Sequence, residues 1–131
     1  MNHLAIITLV VDDYDRAINW FCTALDFSLV EDTPSLTDDG RPKRWVVVAP
    51  KAGGCAILLA RADGDAQQAR IGDQTGGRVG FFLECEDFQT EYDRMLAAGV
   101  FFEERPRQTE YGTVAKFRDL WGNRWDLWQR K

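Results

Sequence analysis

The sequence is poor in the side chains that hold transition metals. It has one histidine, His3, and three cysteines, Cys22, Cys55 and Cys85, none close to another. An odd, scattered set of thiols builds neither a disulfide framework nor a thiolate zinc knuckle, so the three read as small buried hydrophobes. Long apolar runs are also missing. The longest, Trp45 to Ala49 and Cys55 to Ala60, fall far below the ~20 residues that cross a bilayer, and no membrane association is expected. The opening M-N-H-L lacks a basic stretch; with no secretory signal in view, a cytoplasmic location is the expectation. Basic residues are in deficit: 16 Lys and Arg against 21 Asp and Glu give a formal charge of -5. Without a basic stripe to neutralise phosphates, nucleic acid is not an expected partner. Such a balance favours neutral or cationic small molecules.

What is present is a repeated order of elements. Leu4 to Val11 is rich in β-branched residues and reads as a strand buried on both faces. Asp12 and Asp13 offer cap oxygens to a helix whose apolar stripe runs through Tyr14, Ala17, Ile18, Phe21, Cys22 and Leu25. Strands follow at Phe27 to Glu31, Arg44 to Ala49 and Cys55 to Arg61, with a polar loop through Pro34 and Asp38-Asp39-Gly40 and a turn at Gly53-Gly54. Ala62 to Gly77 is small, polar and glycine-rich, a linker with a helical turn or two at Ala66 to Ile71.

The order then recurs. Arg78 to Cys85 is a strand, Asp87 caps a helix through Ala98, and Gly99 stops it. Strands follow at Phe101 to Glu104, Thr113 to Arg118 and Arg124 to Gln129, with a long polar loop from Pro106 to Gly112. Each half is therefore strand, helix and three strands, an internal duplication. The expected fold is α+β: two tandem βαβββ modules, 1–61 and 78–131, joined by the linker 62–77 in one domain.

Three stretches, L-V-V-D-D-Y-D-R-A-I-N-W-F-C-T-A-L-D-F (9–27), F-L-E-C-E-D-F-Q-T-E-Y-D-R-M-L-A-A-G-V (82–100) and F-R-D-L-W-G-N-R-W-D-L-W-Q (117–129), resemble the vicinal oxygen chelate superfamily. That superfamily includes glyoxalase I, extradiol dioxygenases and bleomycin resistance proteins. The resemblance spans the whole chain and implies cupped mixed sheets enclosing a ligand cavity, and a homodimer. In metal-dependent members four side chains converge on a divalent ion. Carried over, those positions fall at Ile6, at Leu58 or Ile57, at Gly80 and at Asp126. Only the last has a lone pair to give.

The residues by themselves point the same way. Divalent metals in such sites want imidazole and carboxylate together, typically two histidines and an acid. One histidine cannot supply two within a chain, and alternation from Ile6 aims His3 at the opposite face. No metal or other cofactor is expected. Asp126 then either anchors a donor group of a ligand, with general base catalysis as a further option, or pairs with Arg124 or Arg78. Thr8, Trp45, Arg78, Phe82, Tyr111, Arg124 and Trp128 are the further candidates for a largely apolar, aromatic pocket around it. Gly80 in a strand admits a close approach by a ligand or a packed side chain. The resulting expectation is metal-independent capture of a small amphipathic or cationic ligand in the sheet cup. The alternative is a lyase, isomerase or dioxygenase-like enzyme with a non-standard site around Asp126.

Overall fold

A computed structural model describes all residues, Met1 to Lys131. The chain divides into two compact units, Met1–Ile71 and Gly72–Lys131.

Unit 1 begins with β1 (Ile6–Val11) and α1 (Tyr14–Ala24), followed by β2 (Ser28–Leu36), β3 (Pro42–Ala49), β4 (Ala56–Arg61) and a short α2 (Asp65–Gln68). The sheet order is β1-β4-β3-β2, with β1 and β4 parallel and the other pairs antiparallel. The Asp13 carboxylate accepts the Asp15 N–H at the start of α1, satisfying a donor the first helical turn leaves free. Tyr14, Ala17, Phe21 and Ala24 form the buried stripe of that helix. They meet Leu9, Val11, Val46, Val48, Ile57 and Leu59, which alternate onto one face of the sheet and are buried with them. Full burial of a side chain such as Phe21 contributes about 1.5 to 3 kcal/mol.

Three expectations fail. β1 is not buried on both faces: Leu9 and Val11 are covered by α1, whereas Ile6 and Thr8 on the other face are exposed. One helix can cover only one side of a sheet. The stretch around Pro34 is not a loop either, since β2 runs through it with Pro34 opposite Arg44. As the edge strand, β2 has no outer partner for the N–H that proline lacks. The three cysteines are half-buried rather than fully buried.

Unit 2 repeats the plan with β5 (Val79–Glu84), α3 (Phe88–Ala97), β6 (Phe101–Phe102), β7 (Arg107–Thr109), β8 (Gly112–Arg118) and β9 (Arg124–Arg130). Its sheet order, β5-β9-β8-β6, with β5 and β9 parallel, matches that of unit 1 strand for strand. Asp87 caps α3 through the Thr90 N–H and hydroxyl. Phe88 and Met95 bury the helix against Phe81, Phe117, Trp125 and Leu127. The Trp125 ring stacks on Phe81 at 4.4 Å and on Phe117 at 5.7 Å between centroids. The segment expected as a long loop contains β7, which forms a hairpin with β8. Its turn is closed by Thr109, whose hydroxyl accepts the Tyr111 and Gly112 N–H groups.

Candidate functional site

Each sheet has one face under its helix and one open face. Cross-strand partners share a face, so register assigns the residues. In unit 1, Leu58 lies opposite Thr8 and Val47, whereas Ile57 lies opposite Ile7 and Val48 and is buried under α1. The open face therefore carries Ile6, Thr8, Val10, Leu58, Trp45 and Val47. Around Leu58 it is hydrocarbon apart from the Thr8 hydroxyl, and toward β2 it turns polar, with Glu31 opposite Val47 and Thr33 opposite Trp45.

In unit 2, Asp126 lies opposite Phe82 on one side and Lys116 on the other. Thr8 and Phe82 each stand five residues before their helix caps, Asp13 and Asp87. Leu58 is thus the unit 1 counterpart of Asp126. Glu84, Val114, Lys116, Arg118, Arg124 and Trp128 lie on the same open face of unit 2.

Asp126 has the most unusual environment in the unit. Its side chain is 15% exposed, and Lys116 Nζ stands 3.9 Å from Oδ1. That oxygen is buried and accepts no hydrogen bond. Desolvation raises the Asp126 pKa above the ordinary carboxylate value; the charges of Lys116 and Arg107 pull it back, and Glu104 adds to the rise. Glu104 itself is fully engaged, accepting the Lys116 backbone N–H and the Arg107 Nε–H, both at 2.9 Å. Burial pushes the Glu104 pKa up, but these donors outweigh it and hold the group below its ordinary value. Asp126, Glu104, Lys116 and Arg107 cancel in formal charge, so this patch selects a hydrogen-bond donor more than a net charge.

The pairing expected from sequence is different in the fold. Arg124 shares the face of Asp126 but its guanidinium is taken by Glu103 at 3.1 Å and by the Gly77 carbonyl. Glu103 also accepts from Arg118. The cation beside Asp126 is Lys116, on the neighbouring strand. Arg78 is exposed just before β5, its carbonyl accepting from the Thr75 hydroxyl. Phe82 is beside Asp126 and largely exposed. Trp128 is two residues along the same face, with Arg130 over its ring at 4.5 Å. Tyr111 is not gathered with them: it is exposed in the β7–β8 turn, next to the Gly112–Arg130 pair at the far end of the ladder. Thr8 and Trp45 lie on the open face of unit 1. Gly80 sits in a bulge between Val79 and Phe81, and a Cβ there would meet Thr75 Cγ2 at 2.8 Å. The close approach that glycine permits is made by a packed side chain.

Asp119, which opens the D-L-W-G-N-R-W stretch, has a role that its spacing in the sequence does not reveal. It is 6% exposed. Oδ1 accepts the backbone N–H groups of Trp121, Gly122 and Asn123, and Oδ2 accepts Asn123 Nδ2–H and Trp125 Nε1–H. Burial pushes its pKa up and the N–H donors oppose that rise. One carboxylate thus folds the turn that starts β9 and sets the register of Asp126.

The donor set does not fit a metal ion. Ile6, Leu58 and Gly80 have no side-chain lone pair, and the one carboxylate at these positions has an ammonium beside it. No group of three or more His, Cys, Asp or Glu side chains stands where it could hold a metal ion. Nor does a thiol offer a nucleophile at Cys85, whose pKa burial pushes up to about 11. No helix is long and apolar enough to cross a membrane.

Comparison with known proteins agrees with this architecture. A protein of Shewanella frigidimarina (strain NCIMB 400), described as uncharacterized, is 49% identical over 124 residues, which is 94% of this chain and 90% of that one. The crystal structure of UcmS2 is similar at a TM-score of 0.79, with 26% identity and 97% of each chain covered. The crystal structure of TnmS3, an antibiotic binding protein from Streptomyces sp. CB03234, is similar at a TM-score of 0.78, with 25% identity over 100% of this chain and 98% of that one. Residues 1–127 match the Glyoxalase/Bleomycin resistance protein/Dioxygenase superfamily, and the chain belongs to it.

Proposed function

From this membership we propose that the protein captures small amphipathic or cationic molecules without a metal ion, in the cup of the unit 2 sheet. The observation that carries the reading is Asp126 Oδ1, buried and accepting no hydrogen bond. A buried acceptor left unmatched costs about 1 to 3 kcal/mol, and a ligand N–H or O–H placed there removes that cost. Phe82 and Trp128 flank Asp126 on the same face and supply aromatic surface for the body of the ligand. Lys116 adds a donor for an acceptor group next to the first contact. The likeness to TnmS3, an antibiotic binding protein, supports capture as the task.

The test is binding of a hydrophobic amine by calorimetry and thermal shift, with metal analysis of the purified chain. Asp126→Asn is expected to weaken the amine by about 1 to 3 kcal/mol, and affinity is expected to fall as pH drops through the raised Asp126 pKa. An unchanged affinity in Asp126→Asn removes Asp126 from the site. A stoichiometric transition metal overturns metal independence.

The raised Asp126 pKa also suits a general base, which favours one second reading, a lyase, isomerase or dioxygenase-like enzyme built around that residue. Turnover of a bound ligand, abolished by Asp126→Asn with binding retained, distinguishes it from capture. The two modules and their linker act as one functional domain, and two chains form a homodimer covering exposed Leu29, Val30 and Phe101. Light scattering is expected at double the 15.0 kDa chain mass.

A further inference from the structure

The seam between the last two strands differs between the units. In unit 2, β8 and β9 are registered over seven pairs, from Gly112–Arg130 to Arg118–Arg124. In unit 1, β3 and β4 are registered only at Val47–Leu58 and Val48–Ile57. Their outer sides are paired throughout, β3 with β2 and β4 with β1. Beyond Val47 and Leu58 the two facing edges run without a ladder, and a cleft of about 560 Å³ lies there.

Tyr14, 5% exposed, enters this cleft from the start of α1. Its hydroxyl accepts the Arg44 backbone N–H at 3.2 Å, in place of a ladder bond. The hydroxyl's own proton has no acceptor. Trp45, 39% exposed, lines the cleft with Leu58 and Ala60.

The charges around the cleft are unevenly committed. Arg41 is held by Asp39 at 3.0 Å and by both oxygens of Asp63 at 3.1 and 2.7 Å. Arg44 is held by Asp15 and Asp32. Two lining cations, Lys43 and Arg61, make no ion pair within the 4.0 Å contact range, although the Arg61 guanidinium lies 5.1 Å from the Tyr14 ring centroid. Asp38 is the one lining acid outside these pairs. Arg41 and Arg44 are each held by two acids, which leaves Lys43 and Arg61 as the uncommitted cations of the cleft, beside a buried O–H donor.

We propose that this cleft is a second binding site, taking a small planar aromatic carboxylate. The ring lies along Trp45, Leu58 and Ala60, and the carboxylate is received by Lys43, Arg61 and the Tyr14 hydroxyl. The volume falls within the ~300 to 1,000 Å³ of small-molecule pockets, and the cation contacts are charge-assisted hydrogen bonds. The cleft is lined by unit 1 alone and selects the opposite charge from an amine.

The test is titration of the full chain with 1-naphthoate, 1-naphthylmethylamine and 1-naphthalenemethanol, read by calorimetry and by backbone amide shifts. The expected result is that 1-naphthoate shifts residues 42–46 and 58–62 and binds roughly 10-fold more tightly than the neutral alcohol. Lys43→Gln and Arg61→Gln each weaken it by about 5- to 10-fold. Asp126→Asn leaves naphthoate binding unchanged while weakening the amine, so failure of one site is distinguishable from failure of the other. Lys43 is exposed, so Lys43→Gln keeps the fold and decides the matter even where Arg61→Gln unsettles Tyr14. Binding no tighter than the alcohol, amide shifts confined to unit 2, or indifference to Lys43→Gln would overturn the proposal.

Discussion

Thr8 and Phe82 occupy the same place in their modules, yet Thr8 faces Leu58 and Phe82 faces Asp126. Around Leu58 the open face is Ile6, Val10 and Val47; around Asp126 it is Lys116, Arg118 and Arg124. The turns that feed the last strands differ as well. In unit 1 the turn is exposed and built on Gly53 and Gly54, both at φ +94°. In unit 2 it is wrapped around the buried Asp119 carboxylate. One backbone plan has been given hydrocarbon around Leu58 in one half and charges around Asp126 in the other, and only the strand that carries Asp126 starts from a turn built on a buried carboxylate.

The largest expected effect breaks that support. Asp119→Ala strands the Asn123 N–H and Trp125 Nε1–H inside unit 2, and loss of about 3 kcal/mol is expected in denaturant titration. Ala52→Ser in the open turn of unit 1 is expected to change stability by less than about 0.5 kcal/mol. An equal loss at both positions would erase the contrast.

Tyr14→Phe sharpens the comparison at the first helical residue, where unit 2 carries Phe88. Removing the hydroxyl leaves the Arg44 N–H without its acceptor. The expected cost is about 1 kcal/mol, with faster hydrogen exchange at Arg44. The same stability as the parent would mean that β3 closes onto β4 by itself.

A smaller effect concerns the helix ends. Asp26 after α1 has φ 56°, in the left-handed region, where Gly99 after α3 has φ 87°. Phe27 and Val100 each then return an N–H to the helix, to the carbonyls of Phe21 and Met95. Asp26→Gly is expected to stabilise by about 0.5 kcal/mol, the relief of left-handed strain less the added chain entropy. A loss would show that the exposed Lys51–Asp26 pair outweighs backbone relief.

Acid titration separates two desolvated carboxyls of unit 2 from three exposed, hydrogen-bonded ones of unit 1 by sign. The folded pKa values of Asp119 and Asp126 are raised by burial, so their contribution to stability is present below the ordinary carboxylate value and lost as pH rises through the raised values. Those of Asp32, Asp39 and Asp63 are lowered by hydrogen bonds from Arg44, Thr37 and Arg41 respectively. Their contribution is present above the ordinary value and lost as pH falls through the lowered ones. Residue-resolved NMR titration is expected to place the two carboxyls of unit 2 above these three of unit 1.

Much of the fold could be read along the chain because its signals are local. Asp13 and Asp87 precede helices whose apolar stripes recur within a few residues, and the duplication repeats the order of strands. Pro34 signals a loop in the sequence, and its place in a strand depends on β2 being an edge, a fact about neighbours. The three residues of β7 carry too little periodicity to mark a strand. At the site, Asp126 stood out as an acid among Trp125, Leu127 and Trp128. Its partner did not: Arg124 is nearest in sequence on the same face, but Glu103 claims it, and Lys116 reaches Asp126 across the ladder.

The sequence by itself determined the two βαβββ modules and the capped helices, because each depends on residue type and on spacing within a few positions. The tertiary structure decided which cation stands beside Asp126, which carboxylate builds the β9 turn and where the sheet of unit 1 opens. Those outcomes depend on strand register and on competition between side chains far apart in the chain, and register exists only once the strands have paired.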